Sequence, residues 1–580
     1  MKLIKLYSNM PTFKDIKFNE NGLTIIYAER TKSDRQSTVN GTGKTLSIEL
    51  VDFCLGADFN PKFKLLKGWK FYLDFKVNNK LYTICRNTEQ EKIVYLNDEP
   101  KELNKYRKFL YDISTNYQPK IKGITFRNII CKFLKFKKNQ YDDAICTTKR
   151  EDQDKALKRD SLLLGLDYEL CEKKISDKEK INKKSNAIRE IKKNEVIKQY
   201  FDKNDKKLDL KIQNIKAEIE DLKNKLSTFK ISEDYTRIEN TYNSLKNNKS
   251  DLQDNLYLYE KRLSSILESL KINPDIDSAN VINFYEQMKI EVPEMIRQKV
   301  ENVSSFHDTL LKNRQLRLSE NKDRIEKSLE SIRNKLSELD NKIDEYYNIL
   351  STTTSFSEYD SIQERLRQKQ DELYKLSSSK SIIDDANNEI TELESQMAID
   401  NVETDKYLKD KKDYTDNISS VYMKYAKSIY QNSISGLSIK NNKGNNKNRF
   451  EIEPSIQSDT SGGIGLVKIY LYDLLLLTLQ NNHNIKFIFN DQHIFSETDP
   501  RQIISLLKLL KKINEKNDFQ FIFTINNSLY NGILAEFDKE DVQDILIYDY
   551  LESSIVQRLN DTGDNGKLLG MTIDLKVKEE

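Results

Sequence analysis

Six consecutive residues near the N-terminus, Asn40-Gly41-Thr42-Gly43-Lys44-Thr45, have the types and the order that hold a phosphate chain. Glycines let backbone N–H groups turn toward phosphate oxygens. The Lys44 ammonium meets the charge those amides leave unneutralised, and the Thr45 hydroxyl is a ligand for Mg²⁺. The usual form of this loop opens on a further glycine, where Thr38 stands here. Arg30, just beyond the preceding strand, joins the set expected to touch the nucleotide.

A second group lies near the other end of the chain. Ile485 to Asn490 reads as a buried strand, apolar except for Lys486 and Asn490, and Asp491 closes it. A carboxylate there can hold Mg²⁺ through water, beside Thr45. In ATPases with this layout a glutamate follows the acid, to orient and deprotonate the attacking water. Here Gln492 follows, and an amide can position water but cannot take its proton. Hydrolysis is therefore expected to be slow, with His493 and Glu497 as candidate substitutes for the glutamate. Ser461-Gly462-Gly463, ahead of a helix, offers N–H groups to an anion. In split-site ATPases this element meets the γ-phosphate bound by a second subunit, so it requires a dimer. Asp499 falls where a loop crossing that interface is expected. Gln140, after the apolar-rich stretch Ile129–Phe136, is the candidate sensor of metal and γ-phosphate, and a surface-loop glutamine fits the position equally. Asn526-Asn527 stands where a switch histidine is common.

Positioning these groups requires the two chain ends to fold together around whatever lies between. Residues 1–165 read as mixed α/β: strands at Leu3–Tyr7 and Leu23–Tyr27, a helix Thr45–Leu55 ended by Gly56, and a meander over Trp69–Val77, Leu81–Arg86 and Ile93–Leu96. Residues 434–580 return to α/β, with a hairpin Ile434–Lys440 and Arg449–Ile456. A helix around Gly465–Leu479 follows, then strands Ile485–Phe489, Phe519–Ile525 and Ile545–Tyr548.

From Leu166 to Ser435 the chain has no glycine, and its only prolines there are Pro274 and Pro293. Leu208, Ile212, Ile215, Ile219, Leu222, Leu226 and Phe229 alternate spacings of four and three, as do Ile325, Leu329, Ile332, Leu336, Leu339, Ile343, Tyr346 and Leu350. That rhythm winds helices together. A third run from Tyr235 to Leu270 is out of phase with the first, which predicts an elbow near Lys230–Asp234. The expected plan is an α/β ATPase head assembled from both ends, with a long antiparallel coiled-coil hairpin inserted. Its segments are 1–165 for the first half of the head, 166–271 for the ascending arm and 272–300 for the tip. The descending arm takes 301–433 and the second half of the head 434–580.

Composition sets limits on function. Charged residues make up 32% and hydrophobic ones 37%, which suits heads plus solvated coil. A net charge of +3 leaves nucleic-acid contact to local patches. Residues 172–211 carry fourteen Lys/Arg against eight Asp/Glu, and Lys183, Lys184, Lys192 and Lys193 are the candidate contacts to double-stranded DNA. A second basic run comprises Lys120, Lys122, Arg127, Lys132, Lys135, Lys137 and Lys138. Either run equally suits a solvated face. Five cysteines and three histidines show no zinc spacing. Met1–Leu6 reads as a strand rather than a signal peptide, and the apolar run Ile469–Leu479 is short for a bilayer. A cytoplasmic protein without a membrane partner is expected.

These residues resemble the SMC/RecN-like branch of the ABC ATPases across essentially the whole chain. The chain is most similar to a bacterial antiphage three-component ABC (Lamassu-like) group whose C-terminal half is a domain of unknown function. The motifs behind that likeness include Asn40–Thr45 running into Ile48–Gly56, Phe126-Arg127, Phe306-His307, Asn313-Arg314, and Gly463-Ile464 leading to Tyr472-Asp473-Leu474. Asn490-Asp491 through Asp499–Gln502, Phe523–Asn526 and Leu568–Gly570 complete them. The resemblance implies ATP and Mg²⁺ as cofactors, a homodimer through ATP-sandwiched heads, DNA sensing, and accessory and effector proteins such as a nuclease. Two rivals remain: a housekeeping DNA-repair ATPase of the same fold, and a non-hydrolysing coiled-coil scaffold.

Overall fold

The computed structural model describes residues 1–31, 41–115, 123–148, 151–193, 206–228, 233–271, 294–350, 354–538 and 540–572. Two compact units result, one from Met1–Ile188 with Asp385–Glu580, the other from Arg189–Asp384.

The first unit is an α/β head built from both chain ends, as expected. Its N-terminal strands are β1 (Lys2–Ser8), β2 (Ile16–Lys17), β3 (Gly22–Glu29), β4 (Lys70–Val77), β5 (Lys80–Asn87), β6 (Ile93–Leu96), β7 (Glu99–Glu102) and β8 (Leu134–Lys135). Its C-terminal strands are β9 (Ser435–Asn441), β10 (Phe450–Ile456), β11 (Phe487–Asn490), β12 (Gln520–Asn526) and β13 (Ile555–Asn560). One sheet is antiparallel in the order β2-β1-β4-β5-β6-β7, and its β4–β5 link is a two-residue turn with Asn78 and Asn79 at φ 49° and 64°.

The other sheet interleaves the two chain ends in the order β13-β3-β12-β11-β8, and every pairing in it is parallel. Strands buried on both faces read as near-continuous apolar runs, as β3 and β12 do. Ligand groups then gather beyond the carboxyl ends of such strands. The helix Gly462–Leu479 runs through the core, with Tyr470, Leu471, Tyr472 and Leu474–Leu477 fully buried. Among the described residues it alone is long and apolar enough to cross a membrane, and it spends that apolar surface inside the head.

One sequence expectation fails here. Ile545–Tyr548 is not a buried strand but part of the helix Val542–Ser553, and the strand follows at β13. Asp544, Ile547 and Leu551 face inward at helical spacing, while Ile545, Leu546 and Tyr548 are exposed. A four-residue apolar run cannot distinguish the two periods by itself.

In the second unit, Leu208, Ile212, Ile215 and Ile219 on the helix Lys206–Thr228 pack on Leu376, Leu366 and Leu373 of the helix Thr354–Asp410. Lys211–Glu372 at 3.6 Å and Lys369–Glu218 at 2.8 Å flank this seam, and the falling partner numbers mark an antiparallel pair. The helices Glu233–Lys271 and Glu294–Leu350 pair likewise, with Tyr242 against Ile343 and Tyr346 and Arg333 3.0 Å from Glu260. The expected elbow falls largely on residues 229–232, and most of the expected tip on 272–293, both outside the described residues. Glu294–Val300, placed in the tip by the sequence, is already helical.

Candidate functional site

β3 delivers the chain to the candidate phosphate loop. Thr31 is tied beyond its end by Asp561, which accepts from its N–H at 3.0 Å and its hydroxyl at 2.6 Å. Asn40 lies outside the described residues, and Arg30 is exposed. Gly41 and Gly43 both have positive φ, 85° and 103°, a region that favours glycine. Gly43 caps the helix Lys44–Cys54. A Cβ on Gly43 would also stand 2.5 Å from that of Leu568, whose N–H donates to the Thr42 carbonyl at 2.9 Å. The C-terminal end of the chain thus braces the N-terminal loop.

Lys44 opens this helix and is buried. Burial pulls its ammonium below the ordinary lysine pKa, and the Asp491 carboxylate opposes that shift. A desolvated cation at a helix N-terminus, where amides already point outward, is suited to a polyanion. Thr45 Oγ donates to Asp491 Oδ1 at 3.3 Å, so the two proposed metal-side oxygens, 446 residues apart, are neighbours. Among the described residues no group of three or more His, Cys, Asp or Glu could hold a metal by itself. A hydroxyl and one carboxylate suit Mg²⁺, which keeps waters and shares itself with substrate phosphates.

Thr524, absent from the sequence candidates, completes this corner. Its hydroxyl donates to Asp491 Oδ1 at 2.5 Å and accepts the Gln492 N–H at 3.1 Å. Gln492 Oε1 is buried without a hydrogen-bond partner among the described residues. Such an orphaned acceptor fits a site that expects a water or ligand. The His493 ring packs edge-on against Tyr141, 5.4 Å between centroids. Gln140 is buried, and its carboxamide oxygen accepts from the Phe136 and Lys137 N–H groups at 2.9 and 2.8 Å. Its position beside Tyr141 brings it to the His493 side of the site. Asn526 instead caps the helix Asn527–Ala535, and Asn527 accepts from Tyr27.

Ser461 is the N-cap of the long core helix, as its sequence suggested. Glu497 does not line the same cleft as Asp491. Its carboxylate lies where a Cβ on Gly462 would be, and its backbone carbonyl likewise crowds Gly463. Gly463 is therefore required by the close approach of the loop backbone at Glu497 and Thr498, whereas at Gly462 the crowding atom is the end of a flexible side chain. Ser461, Gly462, His493 and Glu497 border a polar cleft of about 620 Å³. Asp491, Gln492 and His493 border a neighbouring one of about 400 Å³. His493 is thus shared, whereas Glu497 belongs to the glycine end. Asp499 caps the helix Pro500–Asn514 through the Arg501 N–H at 2.9 Å. Hydrogen bonds from the Arg501 guanidinium and N–H hold its carboxyl down at about 2.

The basic candidates separate. Lys183, Lys184, Lys192 and Lys193 lie on one helix, Glu169–Lys193, with Lys183 and Lys193 exposed. Lys184 pairs with Glu389, and Lys193 with Glu190 at 3.0 Å. Lys174 and Lys178 turn inward onto Asn442 and Asn445 of the β9–β10 loop, so the positive excess of residues 172–211 overstates what phosphates can reach. The second basic run is divided, with Lys137 and Lys138 exposed. Lys132 and Lys135 are wholly buried, and Arg127 pairs with Asp52 at 2.6 Å; Lys120 and Lys122 lie outside the described residues.

Residues 425–573 match a family model described as an uncharacterised protein conserved in bacteria (DUF2326). No curated protein matches the chain. Similar solved structures include the Smc head domain with a coiled coil and joint from Pyrococcus yayanosii. It is 13% identical, covers 98% of this chain and 96% of that one, and has a TM-score of 0.38. Another is the Smc head domain with an extended coiled coil, bound to the C-terminal domain of ScpA, from Pyrococcus furiosus. It is 10% identical, covers 92% and 91%, and has a TM-score of 0.30.

Proposed function

We propose that this protein is an SMC-like ATPase whose heads pair around bound ATP and Mg²⁺ to sense or clamp double-stranded DNA. We place it in a cytoplasmic antiphage complex, where it controls an effector such as a nuclease. The observation that carries the nucleotide part is the meeting of Lys44 and Thr45 with Asp491, from opposite ends of the chain, at the ends of parallel strands. Lys44 and the amides at Gly43 would take the phosphates, and Thr45 and Asp491 would hold the metal. Bound Mg²⁺ supplies charge neutralisation at the phosphates. Ser461-Gly462-Gly463 is the surface offered to a second head. The resemblance named at the outset is the support for DNA, the defence setting and the effector.

A non-hydrolysing scaffold is the second reading, favoured by Gln492 at the position where a base is expected. Calorimetry of ATP with and without Mg²⁺, followed by light scattering of the nucleotide-bound protein, tests the proposal. Binding with conversion from monomer to dimer supports it. An absence of ATP binding overturns the proposal and leaves the scaffold.

A further inference from the structure

The core of the head contains a set of buried charges that nucleotide binding does not use. Lys132 Nζ is 3.0 Å from Asp160 and 3.9 Å from Asp473. Arg159 meets Asp160 at 2.7 Å and Glu151 at 2.5 Å, and Tyr472 OH donates to Asp160 at 3.0 Å. Lys135 Nζ pairs with Asp473. Lys132, Lys135, Arg159, Asp160 and Asp473 are all buried.

Buried pairs of this kind are poor sources of stability, because desolvation offsets most of their attraction. Apolar residues would fill the same volume at lower cost, so the arrangement calls for another role. Lys135 is distinct within it. Its carbonyl accepts the Asp491 N–H at 3.0 Å and the Tyr141 hydroxyl at 2.8 Å. Its side chain crosses to Asp473, about two-thirds of the way along the helix that Gly462 begins. One residue therefore touches the metal-side acid, the segment carrying Gln140, and the helix whose N-terminus is the proposed anion-binding end.

We propose that Lys135 is a positioning residue: through Asp473 it fixes the Asp491 strand end to the Gly462–Leu479 helix, so that the two halves of the site keep one geometry. This rests on the nucleotide reading given above. The test uses the full chain and nucleotide affinity with and without Mg²⁺. In the double variant Lys135→Met, Asp473→Leu the apolar pair preserves the packing. It should bind ATP in EDTA within about twofold of wild type but lose at least tenfold of the affinity gained on adding Mg²⁺. Lys135→Arg, which keeps the charge, should retain most of that gain. Asp473→Asn, close in volume, should lose it as the double variant does, and serves if the double variant fails to fold. A full Mg²⁺ gain in either the double variant or Asp473→Asn would reduce the pair to packing and overturn the proposal. Wild type that binds no nucleotide would instead overturn the reading on which this one depends.

Discussion

Thr524 and Thr45 meet on the same oxygen of Asp491: the Thr524 hydroxyl donates to Oδ1 at 2.5 Å while accepting the N–H of Gln492 at 3.1 Å. One buried hydroxyl thus orients the candidate metal-side carboxylate and the first residue after it. Thr524→Val keeps the shape and removes both bonds. About 1–2 kcal/mol of stability should be lost, since the Gln492 N–H is left without its acceptor. ATP affinity should fall more in Mg²⁺ than in EDTA. Equal losses in both media would show that Thr524 does not orient the metal ligand.

Lys44→Ala separates binding from folding. The Lys44 ammonium is buried and held below its ordinary pKa by that burial, so it is an expensive group to keep without an anion. Its removal should leave the thermal midpoint unchanged or higher. ATP binding should disappear in calorimetry. A variant that binds ATP as wild type does would remove Lys44 from the site.

Gln492→Glu addresses turnover. Gln492 Oε1 is buried without a partner among the described residues, next to the acid that Thr524 orients. A carboxylate in its place can accept a proton from water, which general-base catalysis values at roughly 10²–10⁴-fold. Steady-state phosphate release should rise at least tenfold with ATP affinity little changed. No increase would mean that the base acts from elsewhere, with the shared His493 the next position to substitute.

His483 should make the head sensitive to acid. Its ring is wholly buried, with Nδ1 accepting from the Ile485 N–H at 3.2 Å, so Nε2 is left to donate to the Leu476 carbonyl at 3.1 Å. Burial first of all lowers its pKa to about 4 from 6.5. The folded pKa lies below the unfolded one, so the unfolded state takes up the proton more readily. Stability is then full above about pH 6.5 and is lost as pH falls toward 4, by roughly 3 kcal/mol at the low end. His483→Asn keeps an acceptor for Ile485 but cannot titrate. Denaturant melts at pH 7.5 and 5.0 should show a smaller difference for the variant than for wild type. An equal difference would assign the acid sensitivity to other groups.

The phosphate loop, the acid-ended strand, the glycine pair and the heptads were legible because each is a local pattern with a local cause. Thr524 was not, since a polar residue late in an apolar strand gives no hint of which carboxylate stands on the next strand. Lys135 and Asp473 did leave a signal. Each is a charge inside an apolar segment, Phe133–Phe136 and Ile469–Leu479, and their signs are opposite. Lone charges in such runs are buried and paired more readily than they are solvated. Counting Lys132 and Lys135 toward a basic surface overlooked that. Glu497 was expected as a candidate substitute for the glutamate missing at position 492. The short helix Gln492–Phe495 instead leads it to Gly462.

DNA contact at the root of the coil can be tested with charge neutralisation. Reversal would confound it, because Lys184 faces Glu389 and Lys193 faces Glu190. Glutamine at Lys183, Lys184, Lys192 and Lys193 preserves helix propensity and leaves no like-charge pair. If all four meet phosphates, each releases about one counterion. The slope of log affinity against log salt should then flatten by roughly three to four in duplex titrations with ATP present. Sequence should not matter, and ATP binding should be unchanged. Lys174 and Lys178 serve as internal controls: they bind the β9–β10 loop, so their neutralisation should loosen that loop without changing the salt slope. An unchanged slope in the quadruple variant would exclude this helix as the DNA surface. The buried Lys132 and Lys135 could not replace it.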